Sequence, residues 1–192
     1  MPPIAFCIGL SRTGTRSFGK AAESLGFSRL GWIDRSDELM RAWHEGRHDE
    51  LLAVADAYEV LGDIPWALLY EELAEAFPEA RFALTRRSSV DVWLRSIVAH
   101  TNGLPEYWGH EAAYGATMPA ENPDVYRDFY LGHLDRVREF FRGSDRLVEL
   151  CWETGSGWED VCTMLGVPVP EGVPFPHHGA LAIKQAATPP RA

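Results

Sequence analysis

One segment near the N-terminus constrains the fold of this chain more than any other. Residues 4–8 (Ile-Ala-Phe-Cys-Ile) form an unbroken apolar run, which reads as a buried strand. Residues 9–15 (Gly-Leu-Ser-Arg-Thr-Gly-Thr) follow as a loop of small residues. Phe18, Ala21, Ala22 and Leu25 then recur at helical spacing, and Gly26 suits the end of that helix. A strand, a glycine loop and a helix in direct succession predict a sheet whose strands run parallel, with helices as the crossovers.

The same alternation continues along the chain. Ser36 is placed to cap a helix bearing Leu39, Met40 and Trp43, and a second helix is expected over residues 49–57. Residues 58–61 read weakly as a strand that ends at Gly62-Asp63. Pro65 suits the first turn of a helix carrying Trp66, Leu69, Leu73 and Phe77, which Pro78 stops. Residues 81–85 are the next strand, and Ser88 or Ser89 caps a helix with Val92, Trp93 and Ile97 inward. Residues 124–142 give the longest helical pattern, residues 146–150 another strand, and residues 158–165 a short helix ended by Gly166. Four strands are visible and a fifth is allowed for. The expected class is α/β: one domain over residues 1–192, built on a parallel sheet flanked by helices. Residues 101–123 are expected to be irregular, as a lid over a substrate or as a plain surface loop. The proline-rich tail, residues 167–192, is expected to be extended.

Charge narrows the function. The 192 residues carry 18 Lys+Arg against 28 Asp+Glu, a formal net charge of −10, which argues against a nucleic-acid binder. No apolar run is long enough to span a membrane. The first residues lack a basic region and a small-residue cleavage site, so no secretory signal is expected. Cys7, Cys151 and Cys162 stand at no metal or disulfide spacing and read as buried thiols of a cytoplasmic protein. The acidity is uneven, however. Arg12, Arg16, Lys20 and Arg29 face only Glu23 within residues 1–30, and Arg81, Arg86, Arg87 and Arg95 face only Asp91 within residues 81–100. Two basic segments in an acidic chain point to a small anion held at a defined place.

Three places at the ends of strands carry the chemistry, where ligands of such sheets bind. In the glycine loop, Ser11, Arg12, Thr13, Gly14, Thr15, Arg16 and Ser17 offer a cation, hydroxyls and the N–H groups of a helix start. The loop departs from the nucleotide-binding pattern G-x-x-x-x-G-K-[ST], because Thr15 stands where the lysine belongs. Arg86-Arg87 ends the third visible strand beside a capped helix and reads either as a second phosphate site, with Ser96 two turns on, or as a pair of surface arginines bonded to acidic neighbours. Asp63 ends the second visible strand and reads either as a turn former or as a general base facing the glycine loop.

Residues 8–18 (Ile-Gly-Leu-Ser-Arg-Thr-Gly-Thr-Arg-Ser-Phe) resemble the 5′-phosphosulfate loop of sulfotransferases. Residues 62–65 (Gly-Asp-Ile-Pro), the helix to Phe77-Pro78 and residues 81–96 resemble that family's catalytic and 3′-phosphate segment. Residues 157–168 and the Pro-Phe-Pro-His run at 174–177 are similar to the C-terminal signature of short bacterial members. The resemblance spans most of the chain in family order. It implies a P-loop-like fold, transfer of a sulfuryl group from 3′-phosphoadenosine-5′-phosphosulfate (PAPS) to a small hydroxyl or amine acceptor, and no metal. Carried over by position, Arg12 stands where the family usually has Lys and steadies the leaving oxygen, while residues 13–17 hold the 5′-phosphate. Asp63 stands in the place of a catalytic His, and Arg87 and Ser96 hold the 3′-phosphate one residue farther apart than is usual. Ser88-Ser89 replaces the usual Asp-Pro or Asn-Pro, and only Lys184 and Arg191 are available for the C-terminal basic loop that many members use.

Two other readings remain open at this point. One is a P-loop kinase or phosphotransferase with Asp63 as a magnesium ligand. The other is a catalytically silent binding protein that uses the aromatic residues 101–123 to hold a partner. The adjacent His177 and His178 do not make a metal site, since no third ligand accompanies them. The net charge argues for a small neutral or cationic acceptor rather than a polyanion.

Overall fold

Strand β1 (Ala5–Cys7) lies at the centre of the sheet because it has no charge on either face. It pairs in parallel with β3 (Val60–Gly62) through Ala5↔Val60 and with β4 (Arg81–Thr85) through Ala5↔Arg81. The edges are β2 (Arg29–Leu30) and β5 (Leu147–Leu150), giving the order β2-β3-β1-β4-β5 with every neighbour parallel. This computed structural model describes residues 2–177, and at residues 32–34 the backbone alone.

The pleat sorts the core into two layers. Phe6, Ile8, Leu61, Phe82 and Leu84 point to one face and join the larger apolar cluster. Ala5, Cys7, Val60 and Ala83 point to the other, where α1 (Thr15–Ser24) and α8 (Trp158–Leu165) pack. Small side chains on that face let α1 approach through its own Ala21 and Ala22. The remaining helices are α2 (Trp32–His44), α3 (His48–Ala55), α4 (Tyr70–Ala76), α5 (Val90–Thr101), α6 (Trp108–Tyr114) and α7 (Pro123–Phe140). All three cysteines are buried and free.

Several expectations need correction. The fifth strand is β2, too short at two residues to leave a periodic trace. The helix expected from Pro65 is a 3₁₀ turn, Trp66–Leu68, before α4 begins; Leu68 N–H donates to Pro65 O at 2.8 Å, a closure three residues back. Residues 101–123 are not irregular throughout, because α6 forms within them. Its Trp108 indole donates to Asp37 of α2 at 2.8 Å, and its Tyr114 is buried against Trp93 and Tyr126. Ser89, rather than Ser88, caps α5, accepting from Val92 N–H at 3.2 Å. Within α2, Arg35 is non-helical (φ −150°), so the helix is interrupted there and its regular part follows. Among the described residues, no helix is long and apolar enough to cross a membrane. His178, Lys184 and Arg191 lie outside the described residues.

Candidate functional site

The sheet order places its switch point at β1, whose neighbours β3 and β4 lead away to opposite sides. The loops that leave the C-terminal ends of these three strands therefore meet above the sheet, and all three candidate places lie on them.

Packing fixes the glycine loop. A Cβ at Gly9 would fall 2.0 Å from Thr85 Oγ1 and 2.3 Å from Thr85 O, so only glycine lets β1 turn beside β4. Gly14 has φ +105°, and a Cβ there would meet Trp152 Nε1 at 2.0 Å. Thr13 is fully buried and gives its hydroxyl to the fold: it donates to Leu10 O at 2.6 Å and lies 2.7 Å from Thr85 Oγ1. Its side chain is thus a brace for the loop, and its backbone N–H serves the same turn by donating to Leu10 O at 3.2 Å. Ser17 is buried on α1. Helix α1 begins at Gly14 with no side-chain cap and no acidic residue in its first turn, so its positive end is open to an anion.

Asp63 faces that loop. Its carboxylate accepts from Ser11 Oγ at 2.6 Å, from Thr15 Oγ1 at 2.6 Å and from Ile64 N–H at 2.9 Å. Ser11 is fixed in turn, since its carbonyl accepts from the Trp93 indole at 2.9 Å. Arg12 (φ 71°) and Asp63 (φ 73°) are the non-glycine residues at positive φ among the described residues. Such backbone is costly for a residue with a Cβ, and it gathers at sites where side-chain direction matters. Here it falls on the two residues nominated for catalysis.

The cations crowd together. Arg12 Nε lies 3.4 Å from Ser96 Oγ, which also accepts from Arg87 Nη2 at 3.3 Å. Arg87 Nε donates to the Arg12 carbonyl at 2.7 Å. Burial, then the charges of Arg87 and Arg16, lower the Arg12 pKa. An anion placed between them would relieve that repulsion. Arg86 turns away to Glu149 at 3.0 Å, so Arg87 is the member of the pair that reaches the loop.

A cavity of about 280 Å³ adjoins the site, lined by Asp63, Thr15, Arg16, Lys20 and Arg29 over an apolar base that includes Phe18. Glu23 pairs with Lys20 and Arg29. Near Asp63 stand two histidines, His100 of α5 and His110 of α6, both with lowered pKa values caused first by burial. The Tyr114 hydroxyl is buried beside Ser11 without a well-formed hydrogen bond, and burial together with the Asp63 charge raises its pKa.

Sequence reasoning missed four supports. Tyr130 of α7 accepts from Arg87 N–H at 3.0 Å and stacks on Trp93 with ring centroids 4.4 Å apart. His133, also on α7, lies 2.8 Å from Ile8 O through Nε2, directly before the glycine loop. Trp152 donates to Gly14 O at 3.2 Å. Glu153 accepts from Arg87 Nη1 and from Ser88 N–H, both at 2.7 Å. All four lie more than 35 residues along the chain from the groups they bind, and only the polar residues inside the apolar pattern of α7 gave any local signal.

The sulfotransferase domain model matches residues 5–181. The chain belongs to the sulfotransferase family. It is 28% identical to "Ava biosynthesis cluster protein M" of Aspergillus versicolor, over 88% of this chain and 78% of that protein. Among solved structures it is similar to a gluconokinase from Sinorhizobium meliloti 1021, at 19% identity and a TM-score of 0.46, covering 86% of this chain and 90% of that one. Family membership makes the chain a transferase of sulfotransferase type.

Proposed function

We propose that this chain transfers a sulfuryl group from PAPS to the hydroxyl or amine of a small acceptor. The observation that carries this reading is the meeting of Arg12, Arg16 and Arg87 at an open helix start, with Asp63 bonded to the same loop. These residues suit the donor. Backbone groups of residues 14–16 and the side chain of Arg12 would hold the 5′-phosphosulfate end, since the N–H groups of Thr13 and Ser17 already donate to Leu10 O and Gly14 O. Arg87 and Ser96 would hold the 3′-phosphate, and the donor, once bound, supplies the sulfuryl group.

Asp63 takes the proton of the acceptor hydroxyl as that oxygen bonds to sulfur. Arg12 balances the negative charge on the bridging oxygen, which leaves with adenosine 3′,5′-bisphosphate. Arg12 is already desolvated, so it needs little rearrangement to do this. The acceptor is assigned to the cavity beside Asp63, between α1 and the ends of β2 and β3. Arg16, Lys20 and Arg29 at that cavity favour a neutral or acidic acceptor over the cationic one that the net charge suggests. The acceptor meets the local field and not the total.

Adenosine 3′,5′-bisphosphate should raise the melting temperature, and sulfate should pass from PAPS to a phenol or amine panel without added metal. No melting shift at millimolar nucleotide would overturn the reading. Magnesium-dependent turnover of ATP in its place would favour a phosphotransferase, and a stable complex with neither activity a binding protein.

A further inference from the structure

We propose that Glu153 is a built-in competitor for the 3′-phosphate of the donor, and that the nucleotide must displace it. This rests on the donor reading above. Arg87 is the guanidinium nominated for the 3′-phosphate, and each of its nitrogens is committed: Nε to Arg12 O at 2.7 Å, Nη2 to Ser96 Oγ at 3.3 Å and Nη1 to Glu153 Oε1 at 2.7 Å. The second Glu153 oxygen takes the Ser88 N–H, also at 2.7 Å. One carboxylate therefore uses a guanidinium arm and a neighbouring backbone N–H, the combination of donors that a phosphate would use.

The pair is not an ordinary surface ion pair. The Arg87 and Glu153 side chains are 17% and 28% exposed. Burial acts to raise the Glu153 pKa, yet the bonds from Ser88 and Arg87 outweigh it and carry the pKa below the usual range, so the group is an anion at neutral pH. A phosphate brought to Arg87 would meet this charge at close range, and both cannot share one guanidinium arm without strong repulsion.

The turn that carries Glu153 is anchored by the residue before it. Glu153 sits in the 3₁₀ turn Trp152–Thr154, with Gly155 (φ +107°) and Gly157 directly after it. Trp152 stays on the glycine loop through its bond to Gly14 O. Rotation of the Glu153 side chain alone would free Arg87 and Ser88 while Trp152 keeps the turn docked. The consequence is a donor site whose preference for a 3′-phosphate is suppressed in the resting protein.

Calorimetric titration of adenosine 3′,5′-bisphosphate and adenosine 5′-phosphate into the full chain tests this. Glu153→Ala should tighten bisphosphate binding tenfold or more and leave 5′-phosphate binding within twofold. Glu153→Gln, which keeps the side-chain volume, should give a smaller gain in the same direction. Adding Arg87→Gln to Glu153→Ala should erase the gain. An unchanged ratio of the two affinities in both Glu153 variants would overturn the competitor role and leave the donor reading standing. If neither nucleotide binds the wild type or either variant, the donor reading itself fails, and this inference with it.

Discussion

The Thr15 hydroxyl donates to Oδ2 of Asp63 at 2.6 Å, joining the first turn of α1 to the end of β3. The candidate base and the candidate donor loop are thereby one hydrogen-bonded unit, and substitutions at either residue should separate their two contributions. Asp63→Asn should reduce turnover by about 10²–10⁴-fold, as expected for loss of a general base. It should also weaken donor binding, because its amide cannot accept from Ser11, Thr15 and Ile64 together. Thr15→Val should weaken donor binding by about 1–2 kcal/mol while sparing most of the turnover of the bound complex. Separate measurement of kcat and donor Kd checks the pair, and full activity in Asp63→Asn would remove Asp63 from the base role.

Arg12 offers a different test, because its backbone conformation and its side chain make opposite demands. At φ 71° a glycine is favoured. Arg12→Gly should be about 1 kcal/mol more stable than Arg12→Ala in urea unfolding. Both should lose about 10²–10³-fold in kcat, and Arg12→Lys should recover part of it. Equal stability of the glycine and alanine variants would mean that the strain is absent in solution.

Gly9→Ala should be among the most damaging small changes in the chain. The new methyl would meet the Thr85 carbonyl, part of β4, and two buried hydroxyl groups, with no flexible neighbour to yield. A loss of about 1–3 kcal/mol is expected for such overpacking. Chemical denaturation measures it directly. A loss below half that range would show that β4 gives way.

His133 should make stability depend on pH. Burial, with a smaller contribution from Arg136, holds its pKa down at about 4, against an ordinary value of 6.5. The unfolded chain therefore binds the extra proton first. The stabilisation is fully present above about pH 6.5 and is lost as pH falls towards about 4, by roughly 3 kcal/mol in all. Urea unfolding at pH 7, 6 and 5 should show the decline, and His133→Gln should reduce its slope, with His100 and His110 supplying what remains. Its loss of the bond to Ile8 O should also loosen the glycine loop.

Much of the fold was legible in the sequence, for local reasons. The apolar run at residues 4–8, the small-residue loop and the spacing of Phe18, Ala21 and Ala22 each act within a few residues, so strand, loop and helix follow from neighbours alone. The same holds for β4, and for α8 ended by Gly166 in the left-handed region (φ 70°). Strand β2 was not legible, because two residues carry no period and it is defined by its partner β3. Residues 101–123 were misread for a related reason: α6 is held by Trp108 on Asp37 and by Tyr114 in the core, contacts with distant residues.

The site divides along the same line. Sequence alone indicates which groups stand near strand ends: motif and family order point to Arg12, Asp63 and Arg87 after their strands, and to Ser96 on the helix that follows β4. Tertiary structure decided what each of them does for the others. It turned the Thr13 hydroxyl inward to Thr85, put Thr15 on Asp63, sent Arg86 to Glu149 and set Glu153 on Arg87. Hydrogen-bond partners depend on which elements the sheet order brings together, and β1 is where residues from five separate helices and turns converge. A backbone pattern is a local property of the chain, whereas the allegiance of a charged side chain is settled by its nearest partner in space.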